Sequence, residues 1–544
     1  MEKSHEASEP QEAGPEWRTA EGVRDTSLRG NWRILLVTLY IGMSLFEYGF
    51  DKGVVAGFQA MPGFLQVFGY QTPDGSWEIE STPQQIITSF MTVGGIVGSL
   101  ATGPIGAHLC RRYSLMIASV FIVASTVIMS ETTSFGALYF ARLLVGVANG
   151  VFINFATVFL GEIAPPHLRG LCFGIACFWI TLGRVIGMVV NNATADIMSR
   201  KAYQIPLYIC FVIPVFLILT LPFLPESPRW LIQHNRPEEA LKSLRAYRKG
   251  TYDEVAIQQE FEEMKMVAEH EAAAGKDWRL MLEMFRGANL RRTIISIGVT
   301  SANAGVGTMF ILSFGTYFLK IAKVSNPFMW TIVTNCFGLV GLILSWCAIT
   351  RVGRRRLILA SCIICAVAML LVAVLYTVPG LSPSKAGTGL VVAVSLFLFG
   401  FNFGLESYAF LTSGEMPAQN LRAYTQGLSI AVSFVLAWVC TFTAPYFINP
   451  AELNWGPKYG WIWFGSSIIT IAFVYFMLPD VNGRSLEEID EMFRNKVSTR
   501  GFKTYVCVEV EQARSRGTMN ALAHGEKTLD QEDIQDEGNA KNVS

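Results

Sequence analysis

The stretch Pro225–Arg292 opens with PESPRWLI (225–232), runs through a charged segment and closes with RGANLRR (286–292). It decides the fold because about six apolar runs lie on either side of it, each long enough to cross a bilayer. The bridge alone carries twelve of the 43 Lys and Arg residues. A polar strap that basic, joining two apolar halves, is expected on the cytosolic side.

Composition agrees. Of 544 residues, 51% are hydrophobic and 16% charged, too apolar for an ordinary soluble enzyme. Formal net charge is zero, so no global field points to nucleic acid. Eight of the ten cysteines fall within apolar spans and the other two, Cys110 and Cys507, on the expected cytosolic side. A disulfide framework is therefore not expected, and CIIC (362–365) reads as core helix rather than a metal or redox pair. No HExxH, nucleophile elbow or phosphate loop occurs, so the chain is not read as an enzyme, and no cofactor or metal is implied. The first thirty residues lack an apolar h-region, so insertion is expected to be driven by the first span.

The expected spans are 33–54, 84–107, 113–131, 136–160, 168–191 and 204–224, then 291–319, 327–349, 355–378, 388–412, 421–446 and 459–478. These give an all-α membrane protein of twelve transmembrane helices in two six-helix bundles. The expected domains are a disordered terminus (1–32), a bundle (33–224), a cytosolic linker with short helices (225–290), a second bundle (291–480) and a cytosolic tail (481–544), disordered from about 505. Basic residues test the topology: 34 fall on the expected inside and six outside.

The two halves repeat. GEIAPPHLRG (161–170) and GEMPAQNLRA (414–423) keep Glu and Arg seven residues apart, 253 residues from one copy to the other. LCRRYSL (109–115) pairs with VGRRRLI (352–358), and LPESPR (224–229) with LPDVNGR (478–484). Parallel six-helix repeats imply pseudo-symmetric bundles about a central site.

These motifs, with LPDVNGRSLEEID (478–490), resemble the sugar porter family of the major facilitator superfamily. GFDKGVVAGFQAMPGF (49–64) and NPAELNWGPKYGWIW (449–463) resemble fungal maltose and α-glucoside permeases in particular. The resemblance covers about residues 33–495. It implies the major facilitator fold, no cofactor, and partners limited to a small-molecule substrate, protons and the bilayer. It also implies a monomer at the plasma membrane with both termini cytosolic.

Ionisable groups inside a span are functional candidates by default, and there are six: Glu47, Asp51, Lys52, Arg142, Arg184 and Glu406. Asp51 and Arg142 match a first-span aspartate and a fourth-span arginine that, in proton-coupled members, form an ion pair broken by protonation. Glu47 sits four residues before Asp51 on one helix face, and the like charge is expected to raise one carboxyl's pKa. Lys52 is expected to snorkel or to neutralise Glu47.

The resemblance further implies salt bridges closing the cytosolic ends. They draw on Arg111, Arg112, Glu162, Arg169, Glu226 and Arg229 in one half, and Arg354, Arg355, Glu415, Arg422 and Arg484 in the other. Ala107, Cys110 and Thr350 depart from the usual pattern, so the gate is expected to be weaker and biased towards opening inward, with labelling of Cys110 as its reporter.

The substrate positions depart further. Where family members place amides and aromatics, this chain has Cys177, Arg184, Ser301, Gly307, Phe410 and Ser433, with Asn303, Thr308 and Tyr317 nearby. Arg184 either favours an anionic ligand or pairs with Glu406, leaving a neutral site. The leading expectation is proton-coupled symport of a sugar or α-glucoside-like glycoside. The alternatives are a carrier of another metabolite, such as a fungal secondary product or organic anion, and a non-transporting nutrient sensor.

Overall fold

A computed structural model describes residues 27–58, 61–71, 77–78, 81–194, 197–272, 280–312, 327–377, 383–418, 421–448, 453, 455–513 and 515. Twelve helices among them are long and apolar enough to span a membrane. We number these α1 (Trp32–Phe58), α2 (Ser81–His108), α3 (Arg111–Glu131), α4 (Phe135–Ile163), α5 (Arg169–Thr194) and α6 (Lys201–Phe223). The second six are α7 (Gly287–Leu312), α8 (Pro327–Val352), α9 (Arg354–Leu375), α10 (Pro383–Glu415), α11 (Arg422–Ile448) and α12 (Gly456–Met477). Beyond the helices, Tyr70–Gln71 pairs antiparallel with Trp77–Glu78 in the α1–α2 connection.

Val212, Leu219, Val392, Ile469 and Phe476 stay at least 60% exposed, an apolar belt that a soluble surface would not carry and lipid covers. In lipid no hydrophobic force draws helices together, so close backbone approach must do it. The α1–α5 crossing shows how. Gly49 and Gly53 on α1 face Gly183 and Gly187 on α5, and a Cβ on any of them would run into backbone of the other helix. The bundles meet chiefly along α2–α11 and α5–α8, with α4, α10 and α11 contributing further contacts.

Prolines and a π-turn shape the rest. Pro206 and Pro214 divide α6 into Lys201–Ile209 and Val212–Thr220. In α10 a π-helical turn, Phe401–Leu405, precedes Glu406. Short helices of the linker, starting with Pro228–Gln233 capped by Ser227, share a core of Trp230, Leu231, Leu244, Ile257 and Phe261 that also encloses Cys110.

The tail departs from the expected disorder. The helix Leu486–Arg494, closed by a Ser485–Glu488 capping box, holds the following segment as far as Ala513. Val510 and Cys507 are buried, and Glu491 accepts backbone N–H groups of Glu509 and Val510 at 3.3 and 3.0 Å. A few well-placed apolar residues suffice there because the tail packs onto an existing core. The expectation for residues 1–26 and 516–544, and for Tyr317, lies outside the described residues.

Candidate functional site

Asp51 on α1 and Arg142 on α4 meet in the interior of the first bundle. Arg142 donates to both carboxylate oxygens, at 2.8 and 3.5 Å, and its Nε to the Ile87 carbonyl at 3.4 Å. Neither side chain is more than 4% exposed. Glu47 is buried one turn away, beside the Cys210 thiol rather than on the guanidinium. Lys52 forms no ion pair with Glu47: its Nζ lies 4.3 Å over the Tyr48 ring.

The ends of the spans nearest the linker carry the second cluster, and the repeat organises it. In the first bundle Glu162 accepts from Arg111 at 3.0 and 3.2 Å; in the second, Glu415 pairs with Arg354. Each carboxylate also takes the arginine that follows the other's motif. Arg169 reaches Glu415 at 3.0 Å, and Arg422 reaches Glu162 at 4.0 Å. Glu226 caps the N-terminus of α3, accepting the Arg111 and Arg112 amides at 3.2 and 3.4 Å, with the Arg112 guanidinium 3.8 Å away.

Arg229 joins the halves through a residue the sequence reading missed. It donates to Glu487 of the tail helix at 3.0 and 2.8 Å, and to the Glu162 carbonyl at 2.7 Å. Burial would raise the Glu487 carboxyl's pKa, but Arg229, backbone donation and Arg169 outweigh it and hold the group below its ordinary value. Arg355 and Arg484, expected in this cluster, are not part of it. Arg355 points out along α9 to the Tyr475 carbonyl at 2.6 Å, and Arg484 turns to the Tyr505 carbonyl at 2.7 Å and Glu488 at 3.8 Å. Cys110 is also misplaced as a reporter of opening. It lies under the linker helices rather than on the seam, and burial with the nearby Glu226 pushes its thiol up to about 11.

Glu415→Gln tests the cluster. It leaves Arg169 and Arg354, both buried, facing a neutral amide, a loss of about 3–5 kcal/mol from the closed arrangement. Spin labels at Tyr113 and Arg356, near the linker ends of the two bundles, are expected to move apart in the variant. An unchanged distance distribution would mean that the cluster does not hold this end shut.

Between the bundles, at mid-depth, α5 meets α10. Thr181 lies 3.0 Å from Asn402 Oδ1 and 3.3 Å from Glu406 Oε2, and the Cys177 thiol faces the Glu406 carbonyl at 3.9 Å. Arg184, one turn beyond Thr181, is buried but makes no ion pair with Glu406, contrary to one of the two expectations for it. Trp346 of α8 packs on Phe178 of α5, ring centroids 5.6 Å apart. On α7, Ser301 Oγ and Asn303 Oδ1 are buried without hydrogen-bond partners, whereas Ser433 of α11 bonds the Thr300 carbonyl at 3.4 Å. Phe410 packs at the edge of the main core.

Gly307 is corrected from substrate position to structural turn. Its φ is +86°, and an added Cβ would sit 2.7 Å from Trp463 and 2.9 Å from Met369, inside the second bundle.

The comparisons with known proteins agree with this geometry. Residues 37–493 match the family described as "Sugar (and other) transporter". The major facilitator-type transporter ecdD of Aspergillus rugulosus is 29% identical over 482 residues, spanning 86% of this chain and 89% of its own. The alpha-glucosides permease MPH3 of Saccharomyces cerevisiae is 30% identical over 481 residues, spanning 86% and 78%. In fold, the chain is similar to the major facilitator superfamily proton:xylose symporter XylE, with a TM-score of 0.70 at 19% identity over 86% of this chain and 99% of that one. Twelve spans in two repeated bundles, mirrored Glu–Arg pairs and a match across most of its length show that this chain belongs to the sugar (and other) transporter family of the major facilitator superfamily.

Proposed function

We propose that the protein is a secondary active transporter that moves a sugar or glycoside together with protons, exposing a central site alternately to either side of the membrane. The Asp51–Arg142 pair carries this reading. A carboxylate and a guanidinium buried together in a span are stable mainly as a pair. A proton on Asp51 cancels its charge and releases Arg142, which couples protonation to the arrangement of α1 against α4. Glu47, one turn away, is the second carboxyl within reach of that proton.

In this scheme Arg111, Glu162, Arg169, Arg229, Arg354, Glu415, Arg422 and Glu487 form the gate at the linker end, and Arg112 and Glu226 brace α3 beside it. That end faces the cytosol, as the basic-residue bias requires, and the protein acts as a monomer in the plasma membrane. The resemblance to an alpha-glucosides permease supports the solute class, and that to a proton:xylose symporter supports the coupling.

The test is accumulation in proteoliposomes holding the full chain, with maltose and hexoses offered under an imposed pH gradient. Uptake above equilibrium that collapses when a protonophore is added is the expected result. Equilibration that ignores the protonophore would make the protein a facilitator and end the coupling.

A further inference from the structure

Most of the deeply buried arginines in this chain are well supplied with acceptors. Arg142 has Asp51 and the Ile87 carbonyl, Arg229 has Glu487 and the Glu162 carbonyl, and Arg248 has Glu260 and the Ile163 carbonyl. Arg184 differs. It is 5% exposed at the seam between the bundles, and neither its Nε nor its Nη2 has a partner. A buried guanidinium with two of its three nitrogens unpartnered is strongly unfavourable unless something arrives to receive their protons.

Its surroundings are built rather than accidental. The α1–α5 crossing clamps the Arg184 backbone, since a Cβ on Gly53 would lie 2.5 Å from its carbonyl oxygen. Thr181 shares its face of α5, and Asn402 and Glu406, one turn apart on α10, stand opposite. The cations whose fields reach Glu406 are Arg184 and Lys52, yet neither forms an ion pair with it. Two cations against one carboxylate leave these three groups with one positive charge in excess. A sugar porter's amide position is thereby occupied by a group that prefers a planar anion.

We infer that the central site recognises a carboxylate, so that the solute is an acidic sugar or glycoside. Its carboxylate docks on Arg184 with Lys52 as the second cation, and its hydroxyls meet Thr181, Asn402 and Glu406. The sugar-like body rests on the transport reading above; the carboxylate rests on Arg184 alone.

Paired ligands separate the two. Binding to the purified full-length protein is followed by tryptophan fluorescence for D-glucuronate against D-glucose, maltobionate against maltose, and benzoate. The acid of each pair is expected to bind at least 30-fold more tightly than its neutral partner. In Arg184→Gln that ratio should fall to within threefold, Arg184→Lys should keep part of it, and Glu406→Gln should widen it by removing the opposing charge. A ratio near one in the natural protein, or one that survives in Arg184→Gln, overturns the carboxylate site. Should Arg184→Gln fail to show a cooperative melt, Glu406→Gln decides: an acid-to-neutral ratio that does not widen overturns the assignment. Arg184-dependent binding of benzoate without either hydroxylated acid upholds the carboxylate site and removes the sugar-like body.

Discussion

Asp51→Asn is expected to abolish accumulation against a gradient while solute exchange across the membrane continues. The substitution keeps the shape of the side chain and mimics its protonated form permanently. Arg142 Nη1, 2.8 Å from the carboxylate in the natural protein, can still donate to an amide oxygen, but the charge that held it is gone. Breaking one side of a buried pair in this way disturbs the local balance by about 3–5 kcal/mol, enough to shift a two-state equilibrium by roughly two to four orders of magnitude. On the proposed scheme, what remains is a carrier whose two bundles still rock around the solute, because the Glu–Arg cluster lies at the linker end and is untouched. Counterflow of preloaded solute would therefore persist while protonophore-sensitive uptake disappears. Glu47→Gln is the control: Glu47 shares the α1 face but does not hold Arg142, so some accumulation should survive there. If Asp51→Asn accumulated solute like the natural protein, the proton would have to travel by another group.

Much of this was legible in the sequence, and the reasons lie in particular residues. Charges inside apolar runs have nowhere to hide, so Asp51 and Arg142 stood out, and the structure pairs them. The Glu–Arg motif copied 253 residues apart likewise announced two mirrored halves. The crossing of its partners, Arg169 to Glu415 and Arg422 to Glu162, follows from two such motifs facing one another.

What stayed hidden depended on helix phase and packing. In the run Arg354–Arg356 only the first arginine turns inward, because successive residues point about 100° apart on a helix. In LEEIDEM (486–492) four carboxylates compete for Arg229, and only docking of the tail helix selects Glu487. Arg184 could be noticed but not resolved: composition does not say whether a carboxylate one bundle away comes within reach. The glycine spacings were a signal left unread. Gly94/Gly98, Gly146/Gly150, Gly49/Gly53 and Gly183/Gly187 all stand four apart, the pattern that lets membrane helices touch backbone to backbone.

That pattern carries the second large effect: Gly146→Val is expected to prevent stable assembly. The α2–α4 contact is made by Gly94 and Gly98 facing the backbone of residues 143–147, and by Gly146 and Gly150 facing Met91 and Gly95. A Cβ at Gly146 would overlap the Met91 carbonyl oxygen, a backbone atom that no rotamer change can move. Relief requires the helices to separate, which forfeits the whole interface and places the change at or above the about 1–3 kcal/mol usual for overpacking. The consequence reaches the Asp51–Arg142 pair, because Arg142 lies one turn from Gly146 and donates to the Ile87 carbonyl on α2. Spreading this crossing would pull the guanidinium off its second acceptor and tilt it from Asp51. The comparison is Gly465→Val on α12, where an added Cβ meets nothing within 4 Å and faces outward. Thermal melting in detergent should show Gly465→Val near the natural protein and Gly146→Val aggregated or melting many degrees lower. Equal melting of the two would mean that the α2–α4 approach is looser than described, and that Arg142 is held by its ion pair alone.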